Sequence, residues 1–250
     1  MTAPAWLTAR PIAHRGLHDR AAGRPENTIG AALAAVAGGF AIECDVQLSR
    51  DGEAMVVHDH ALERLTGEAG LVGERDSAAL EMLRVQGSDE RIPALAAFLD
   101  AVGGRVPVVV EVKSRFAGDE RLVRRVVEVV AARDGAPVAV KSFDPTIVSA
   151  VRRLAPALPR GIVAESTHAG AEWQKLPAEL RRSLAELLHW EDTLPDFLSW
   201  NHRDLPDGPP FLARRLGGRP VRTWTIRSEA EAAAARAHAD QIVFEGFIPG

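Results

Sequence analysis

The chain has 250 residues, of which 46% are hydrophobic and 26% charged, an ordinary composition for a folded globular protein. Its formal net charge of −4 and the lack of a dense lysine or arginine run argue against a nucleic-acid-binding surface. The single cysteine, Cys44, excludes an intrachain disulfide and a cysteine-based zinc cluster.

Short apolar runs alternate with helix-like stretches along most of the chain, and this alternation is typical of parallel βαβ units. The predicted strands cover residues 11–15, 41–48, 54–58, 106–113, 138–143, 160–164, 197–200, 221–226 and 241–244. The predicted helices cover residues 28–37, 95–102, 120–133, 145–154, 177–188, 209–216 and 229–239. The run at 106–110 is apolar on both faces, as expected for a strand that is buried on both sides of a sheet.

Eight of these nine predicted strands in alternation with helices favour an α/β fold of the (β/α)8 type, the TIM barrel, over an open Rossmann sheet. No Gly-x-Gly-x-x-Gly motif follows the first predicted strand, which weakens a dinucleotide-binding alternative. We predict one domain over residues 1–250, with a small insertion after the second strand at 60–91, where glycines are frequent and only 78–83 is helix-like. Because the sequence stops shortly after the last predicted strand, the last barrel helix is expected to be truncated or missing.

The sequence carries no recognisable targeting or membrane segment. No run approaches the roughly 20 consecutive apolar residues that a membrane span needs. The first residues are too few and too weakly apolar for the core of a secretory signal. We therefore expect a cytoplasmic protein without an integral membrane segment.

Three carboxylates lie in or at the end of predicted strands. Glu43 and Asp45 are two residues apart, so their side chains point to the same side, which in a barrel is the lumen or its rim. Glu111 follows three valines near the end of another strand. Converging carboxylates without cysteine favour a hard divalent cation, Mg²⁺ or Ca²⁺, over zinc. The alternative is that Glu43 and Asp45 simply end a strand and pair with arginines.

Two histidines follow apolar runs at predicted strand ends. His14 ends the first strand and His58 ends the run at 54–58, and functional groups in a barrel cluster at the carboxyl ends of its strands. Histidine can give and take protons near neutral pH, so the pair is a candidate for general acid–base catalysis. The alternative is a structural, hydrogen-bonded role for each ring. Asp59 is adjacent to His58 and is expected to point away from it.

Two cations accompany these groups in the sequence. Arg15 offers a planar bidentate fork and Lys113 a point charge, and both are common at phosphates. Lys113 is two residues from Glu111 and therefore on the same side of that strand, which supports a shared site. Neutralising the carboxylates is the alternative role, and the two roles are compatible. Histidines, carboxylates and cations together suit cleavage of a phosphodiester beside a metal ion.

Four further residues are candidates for supporting roles around the pocket: Glu26, Asn27, Ser142 and Trp224. Asn27 or Thr28 is expected to cap the helix that follows them. Glu26 is expected to hydrogen-bond the loop that carries Arg15. Trp224 is expected in the core or in the pocket wall.

Together these residues resemble the glycerophosphodiester phosphodiesterase family. The motifs of the resemblance are His14-Arg15-Gly16, Pro25-Glu26-Asn27-Thr28, Glu43-x-Asp45, Asp51-Gly52, His58-Asp59, Ile92-Pro93-x-Leu95 and Glu111-x-Lys113. Later pieces, Ser142-Phe143-Asp144-Pro145 and Trp224-Thr225, extend the similarity nearly from end to end. One departure follows the last predicted strand, where the family often has Thr-Asp and a proline. Glu245 is the candidate replacement for that aspartate, with one more methylene of reach.

The resemblance implies a TIM barrel with a small insertion after its second strand. It also implies a divalent ion held by Glu43, Asp45 and Glu111, with the two histidines as the acid–base pair. Arg15 and Lys113 would bind the phosphoryl oxygens. The implied reaction is hydrolysis of a small glycerophosphodiester to glycerol 3-phosphate and an alcohol, with no nucleic acid as partner.

Two other functions stay open at this point. A lysophospholipase D-type activity needs an apolar groove at the barrel mouth, and the apolar residues within 60–91 could line it or could pack the insertion. A catalytically inactive barrel that binds a phosphorylated ligand is the alternative of another class, and the presence of all seven polar site residues argues against it. A nuclease is disfavoured by the acidic balance of the chain.

Overall fold

Strands and helices alternate along residues 3–168, 170–171 and 173–250, which are the residues that the structure, a computed structural model, describes. The strands are β1 (Ile12–Ala13), β2 (Ala41–Leu48), β3 (Ala54–Val56), β4 (Val108–Val112), β5 (Val138–Ser142), β6 (Arg160–Ala164), β7 (Phe197–Asn201), β8 (Val221–Ile226) and β9 (Gln241–Phe244). The α-helices are α1 (Ile29–Ala37), α2 (Glu63–Thr66), α3 (Ser77–Met82), α4 (Leu95–Val102), α5 (Arg121–Ala131), α6 (Pro145–Leu154), α7 (Ala178–Glu186), α8 (Trp190–Thr193), α9 (Gly208–Arg215) and α10 (Glu229–Ala235). Short 3-10 helices form at Ala5–Leu7, Val72–Glu74, Trp173–Lys175 and His202–Asp204.

All strands except β3 run parallel and close into a barrel. β1 pairs with β2 on one side and with β9 on the other, and the remaining strands follow in the order β4, β5, β6, β7 and β8. The predicted (β/α)8 barrel is therefore confirmed. β3 lies outside the barrel and pairs antiparallel with β2, so the predicted strand at 54–58 is the returning arm of a hairpin.

The lumen of the barrel places the polar residues together. On β4, Val108, Val110 and Val112 pack outward among the helices, whereas Val109 and Glu111 face the other side. Asp45 on β2 pairs in register with Glu111, and Glu111 pairs in register with Lys141 on β5. Register partners on adjacent strands point to the same side of a sheet, so these charged side chains form one layer inside the barrel.

The segment between β3 and α4 forms a small insertion with its own apolar core. Helices α2 and α3 lie in it, of which only the second was predicted. The core consists of these buried side chains: Met55, Val57, Leu62, Leu65, Val72, Leu80, Val85 and Ile92. The apolar residues of the insertion therefore pack against one another.

Two further features concern helices. Residues 245–250, which follow β9, contain no helix. Within the described ranges, every helix is too short or too polar to cross a membrane.

The 3-10 helix at Ala5–Leu7 closes the lumen at the end where the strands begin. Leu7, in the 3-10 helix, is 1% exposed and packs with Val109, Ala139 and Phe197. Trp6 packs against the same cluster. A small barrel is a filled core, and Leu7 supplies part of its filling below the charged layer.

We expect Leu7→Ala to lower the free energy of unfolding by about 2–5 kcal/mol, because it leaves a cavity among well-packed side chains. Urea denaturation followed by circular dichroism measures this change. Leu188→Ala is the matched control, since Leu188 is 62% exposed and its truncation opens no internal cavity. Equal effects of the two substitutions would show that Leu7 is not part of the core.

Candidate active site

Three buried carboxylates converge at the carboxyl ends of β2 and β4. Oxygen atoms of Glu43, Asp45 and Glu111 all lie within 4.8 Å of one another, and each side chain is buried. Asp45 and Glu111 meet because their strands are in register, and Glu43 joins them from one pleat below. A cluster of hard oxygen ligands at this spacing could hold a divalent metal ion.

Two lysines neutralise this cluster. Lys113 places Nζ 2.8 Å from Asp45 Oδ1 and also contacts Glu111 Oε1. Lys141 places Nζ 3.1 Å from Glu43 Oε1 and 3.0 Å from Glu111 Oε2. Such pairing is required because isolated carboxylates cannot stay ionised in the interior of a barrel.

The loop after β1 approaches Asp45 from a second side. Arg15 has a φ of 56°, which directs its guanidinium inward, with Nη1 donating to Glu26 Oε1 over 2.7 Å and Nε 3.4 Å from Asp45 Oδ2. Gly16 has a φ of +79°, and a Cβ there would lie 2.9 Å from the backbone of Ala31. Only glycine therefore suits this position, where the backbone N–H donates to the Glu43 carbonyl over 3.1 Å.

Of the two residues expected to cap the following helix, Thr28 is the cap, and Asn27 contacts Asp45 instead. Asn27 Nδ2 donates to Asp45 Oδ2 over 2.9 Å, and the Asp45 backbone N–H donates to Asn27 Oδ1 over 3.1 Å. Thr28 caps α1 by accepting a hydrogen bond from the Ala31 N–H. The predicted hydrogen bond between Glu26 and the loop carrying Arg15 is present.

His14 stands beside the carboxylates and is held by a residue from the far end of the chain. Its Nδ1 lies 2.5 Å from Glu245 Oε2, and its Nε2 lies 4.0 Å from Glu43 Oε2. Glu245 also pairs with Arg227 at 2.6 Å. The position at which the sequence departs from the family pattern is thus the one that orients His14.

His58 reaches the site on the hairpin rather than at the end of a barrel strand. The carbonyl of His58 accepts a hydrogen bond from Gln47 Nε2 over 2.7 Å, which fixes the returning arm beside β2. His58 Nδ1 lies 2.6 Å from Asp59 Oδ1, so the prediction that Asp59 points away from His58 is wrong. The alternation of side chains applies only within a strand, and β3 ends at Val56.

Ser142 and Trp224 lie at the edge of the site. Ser142 Oγ donates to the Val112 carbonyl over 2.7 Å and thus ties β5 to β4. The Trp224 indole donates to the Ser199 carbonyl over 2.8 Å and packs edge-on against Phe143, with ring centroids 5.7 Å apart. These contacts make Trp224 a wall of the barrel mouth.

A cavity of about 640 Å³ opens next to the carboxylates. Glu111 and Lys113 line one side of it, and Phe116, Phe143 and Trp173 line another. The Phe143 and Trp173 rings are 5.0 Å apart and form a continuous apolar wall. A substrate held at the charged layer would therefore extend over an aromatic surface.

The sequence profile of the Glycerophosphoryl diester phosphodiesterase family matches residues 14–244, from the first site histidine to the end of the last strand. The chain belongs to this family, one of phosphoric diester hydrolases. It is 32% identical to a probable glycerophosphodiester phosphodiesterase 1 of Mycobacterium tuberculosis, over 62% of this chain and 64% of the relative. It is 31% identical to a glycerophosphodiester phosphodiesterase of Caldanaerobacter subterraneus, over 61% of this chain and 65% of the relative. The chain thus spans less than two thirds of the length of these curated relatives.

Solved structures share the fold. A phosphodiesterase of Oleispira antarctica, in complex with the product sn-glycerol-3-phosphate, superposes with a TM-score of 0.78 and 23% identity over 96% of this chain and 93% of that one. A Silicibacter pomeroyi protein described as a glycerophosphoryl diester phosphodiesterase gives a TM-score of 0.75 and 22% identity over 94% of this chain and 89% of that one.

The electrostatics of this phosphodiesterase-family site keep Asp45, Glu111 and Glu245 ionised. Burial alone would raise the pKa of Glu111, but Lys113 and Lys141 outweigh it and lower that pKa to about 2. For Asp45 the same burial is outweighed by Lys113, His58 and Arg15, so its pKa lies well below the ordinary value. The Glu245 pKa is lowered chiefly by its hydrogen bond to His14.

Sequence reasoning missed two residues of this site. Lys141 is two residues from Ala139 and so lies on the same side of β5, opposite the neighbouring valines. Strand alternation therefore predicts that its side chain faces the lumen. Arg64, on α2, contacts Asp59 and donates to both oxygens of Glu26. No local pattern signals Arg64, because its partners lie in other segments.

We expect Asp59→Asn to lower the melting temperature by about 2–4 °C near pH 7, corresponding to about 1 kcal/mol for a partly exposed ion pair. Burial would raise the Asp59 pKa, but the hydrogen bonds from Arg64 and His58 lower it to about 2. A carboxylate whose pKa falls on folding stabilises the protein fully at a pH above its pKa in the unfolded state. It loses that effect as the pH falls through its pKa in the folded state. The difference in melting temperature between Asp59→Asn and the wild type should therefore shrink as the pH falls from about 4 towards 2.

Thermal denaturation across this pH range measures the difference. Asp89→Asn is the control, because Asp89 is 92% exposed in its ion pair with Arg84. A wild-type advantage that stays constant down to pH 2 would contradict an ion-pair role for Asp59.

Proposed function

We propose that this chain hydrolyses glycerophosphodiesters to glycerol 3-phosphate and an alcohol in a metal-dependent reaction, with His14 and His58 as the acid–base pair. The observation that carries the proposal is the placement of these two rings beside the buried carboxylates. Each ring is held through Nδ1 by a carboxylate of its own, Glu245 or Asp59. The names of the relatives and the glycerol 3-phosphate bound to the Oleispira phosphodiesterase support the same reaction.

A divalent ion fits the three carboxylates. Their ligand atoms are oxygens only, and Glu43 Oε1 is buried without a hydrogen-bond donor although it is paired with an ammonium group. Glu43, Asp45 and Glu111 would hold the ion, and the oxygen set suits Mg²⁺ or Ca²⁺. When bound, the ion supplies polarisation of a phosphoryl oxygen.

The two histidines supply proton transfer. A ring whose Nδ1 is engaged by a carboxylate presents Nε2 to the substrate, so each histidine has one atom for exchanging a proton. One ring takes the proton of the nucleophile, and the other gives a proton to the leaving alkoxide. This pair serves equally for attack by water and for attack by the glycerol 2-hydroxyl through a cyclic phosphate.

Arg15 and Lys113 hold the phosphoryl group. Both lie at the rim of the cluster, with side chains that are 17% exposed. Arg15 Nε lies 3.4 Å from Asp45 Oδ2 without a hydrogen bond to it, so the carboxylates do not fully engage the guanidinium group. Positive charge at this position offsets the negative charge that develops on the phosphorus oxygens during the reaction.

A second candidate activity, of the lysophospholipase D type, is favoured by the aromatic wall of the cavity. Phe116, Phe143 and Trp173 could cover the acyl chain of a substrate whose acylglycerol part keeps the phosphate when the head-group alcohol leaves. The residues that the sequence offered for this purpose do not support it, because the apolar side chains of the insertion form their own core. A silent barrel that binds a phosphorylated ligand is the remaining alternative.

The decisive experiment is release of glycerol 3-phosphate or phosphomonoester from a panel of glycerophosphodiesters and lysophosphatidylcholine, with and without EDTA. We expect turnover of glycerophosphodiesters that EDTA abolishes and Mg²⁺ or Ca²⁺ restores. Faster turnover of lysophosphatidylcholine than of glycerophosphocholine would establish the second candidate instead. No turnover with any metal would indicate a silent barrel, and turnover insensitive to EDTA would remove the metal from the proposal.

His14→Ala and His58→Ala should each lower kcat by about 10²–10⁴, because each removes a proton-transfer group while the fold is retained. Steady-state kinetics on the best substrate of the panel measures the loss, and circular dichroism checks the fold. His238→Ala, which removes a histidine that follows α10 on the outside of the barrel, should leave kcat unchanged. Full activity of either site variant would exclude that histidine from the mechanism.

A further inference from the structure

Lys141 occupies an unusual position for a lysine. It lies on the lumen side of β5 with only 5% of its side chain exposed, deeper than Lys113, of which 17% is exposed. Both of its ion pairs, to Glu43 and to Glu111, are with residues that would hold the divalent ion. Its ammonium group therefore lies within the ligand cluster itself.

The charges of the cluster balance without any metal ion. Glu43, Asp45 and Glu111 carry three negative charges, and Lys113, Lys141 and Arg15 bring three positive charges against them. Adding a divalent ion places two more positive charges beside an ammonium in a region of low dielectric, where like charges repel strongly. The ion and Lys141 also require the same two carboxylates, Glu43 and Glu111.

The two contacts of Lys141 are ion pairs of similar length. The pair with Glu111 Oε2, at 3.0 Å, helps to lower the pKa of that carboxylate. The contact with Glu43 is an ion pair at 3.1 Å without hydrogen-bond geometry, since Glu43 Oε1 receives no hydrogen bond. An incoming cation can therefore displace the ammonium group from Glu43 without breaking a hydrogen bond at that oxygen.

We propose that Lys141 is a built-in competitor of the divalent ion: it occupies Glu43 and Glu111 when the metal is absent, and it must release at least one of them when the metal binds. Lys141 thereby lowers the affinity of this chain for its metal and keeps the carboxylate cluster stable without it. The proposal rests on the metal-dependent reaction proposed above, but it concerns binding alone. Its test needs no substrate.

The test is isothermal titration of the EDTA-treated, dialysed full chain with MgCl₂ and with CaCl₂. Lys141→Met keeps the length of the side chain and removes the charge, and we expect it to bind the preferred ion about 10-fold more tightly or better. Lys175→Met is the matched control, because Lys175 is exposed, outside the cluster, and should leave the affinity unchanged. Binding by Lys141→Met that is equal to or weaker than binding by the wild type would overturn the proposal.

A measurement on the wild-type chain guards against a variant that does not fold without metal. The chain has three lysines, at 113, 141 and 175, so protein labelled with ¹³C at lysine Cε gives three resolvable signals, assigned with Lys→Arg variants. Addition of the ion should shift the Lys141 signal and leave that of Lys175 in place. An unshifted Lys141 signal at saturating metal would overturn the proposal.

The two proposals can fail separately. If Lys141→Met binds the ion more tightly but the substrate panel shows no turnover, the competition holds and the proposed hydrolysis fails. If the panel shows metal-dependent turnover and Lys141→Met gains no affinity, the competition alone is refuted.

Discussion

The site depends on the balance between buried carboxylates and buried cations in the lumen of the barrel. Moving one carboxylate out of water costs several kcal/mol, and three of them cannot share one layer unless positive charge accompanies them. Lys141 provides that charge from β5, and Lys113 provides it from the position directly after β4. Arg15 provides it from the loop after β1. The remaining polar contacts of the site fix the orientation of the paired carboxylates, as Asn27 does for Asp45.

The barrel and the hairpin contribute different parts of the chemistry. Closure of the sheet fixes the register of β2, β4 and β5, and this register brings Asp45, Glu111 and Lys141 into one layer, with Glu43 one pleat below. The histidines come from elements outside this ladder, one from the loop after β1 and the other from the arm that follows β3. The carboxylates proposed to bind metal are thus positioned by the rigid strands, and the histidines of the proposed acid–base pair by loops tied to carboxylates.

Much of this arrangement follows from the sequence because it depends on local periodicity. Glu43 and Asp45 had to share a face, and the valines before Glu111 had to lie in a buried strand. Contacts between residues that are distant in the chain could not be predicted from the sequence. The contact between Glu245 and His14 joins the two ends of the chain, and Arg64 contacts Glu26, which only the folded structure brings close to it. Asp59 was misplaced because strand alternation was extended beyond Val56, where the strand ends.

Arg64 has a consequence for how the family site can vary. Arg64 contacts Asp59, next to His58, and donates to Glu26, which also accepts a hydrogen bond from Arg15. These contacts connect the insertion to the two loops that carry His58 and Arg15. The insertion is therefore not an independent module at the barrel mouth. An insertion exchanged between relatives would need its own arginine at this point, since otherwise His58 and Arg15 would both lose the contacts that hold their loops in place.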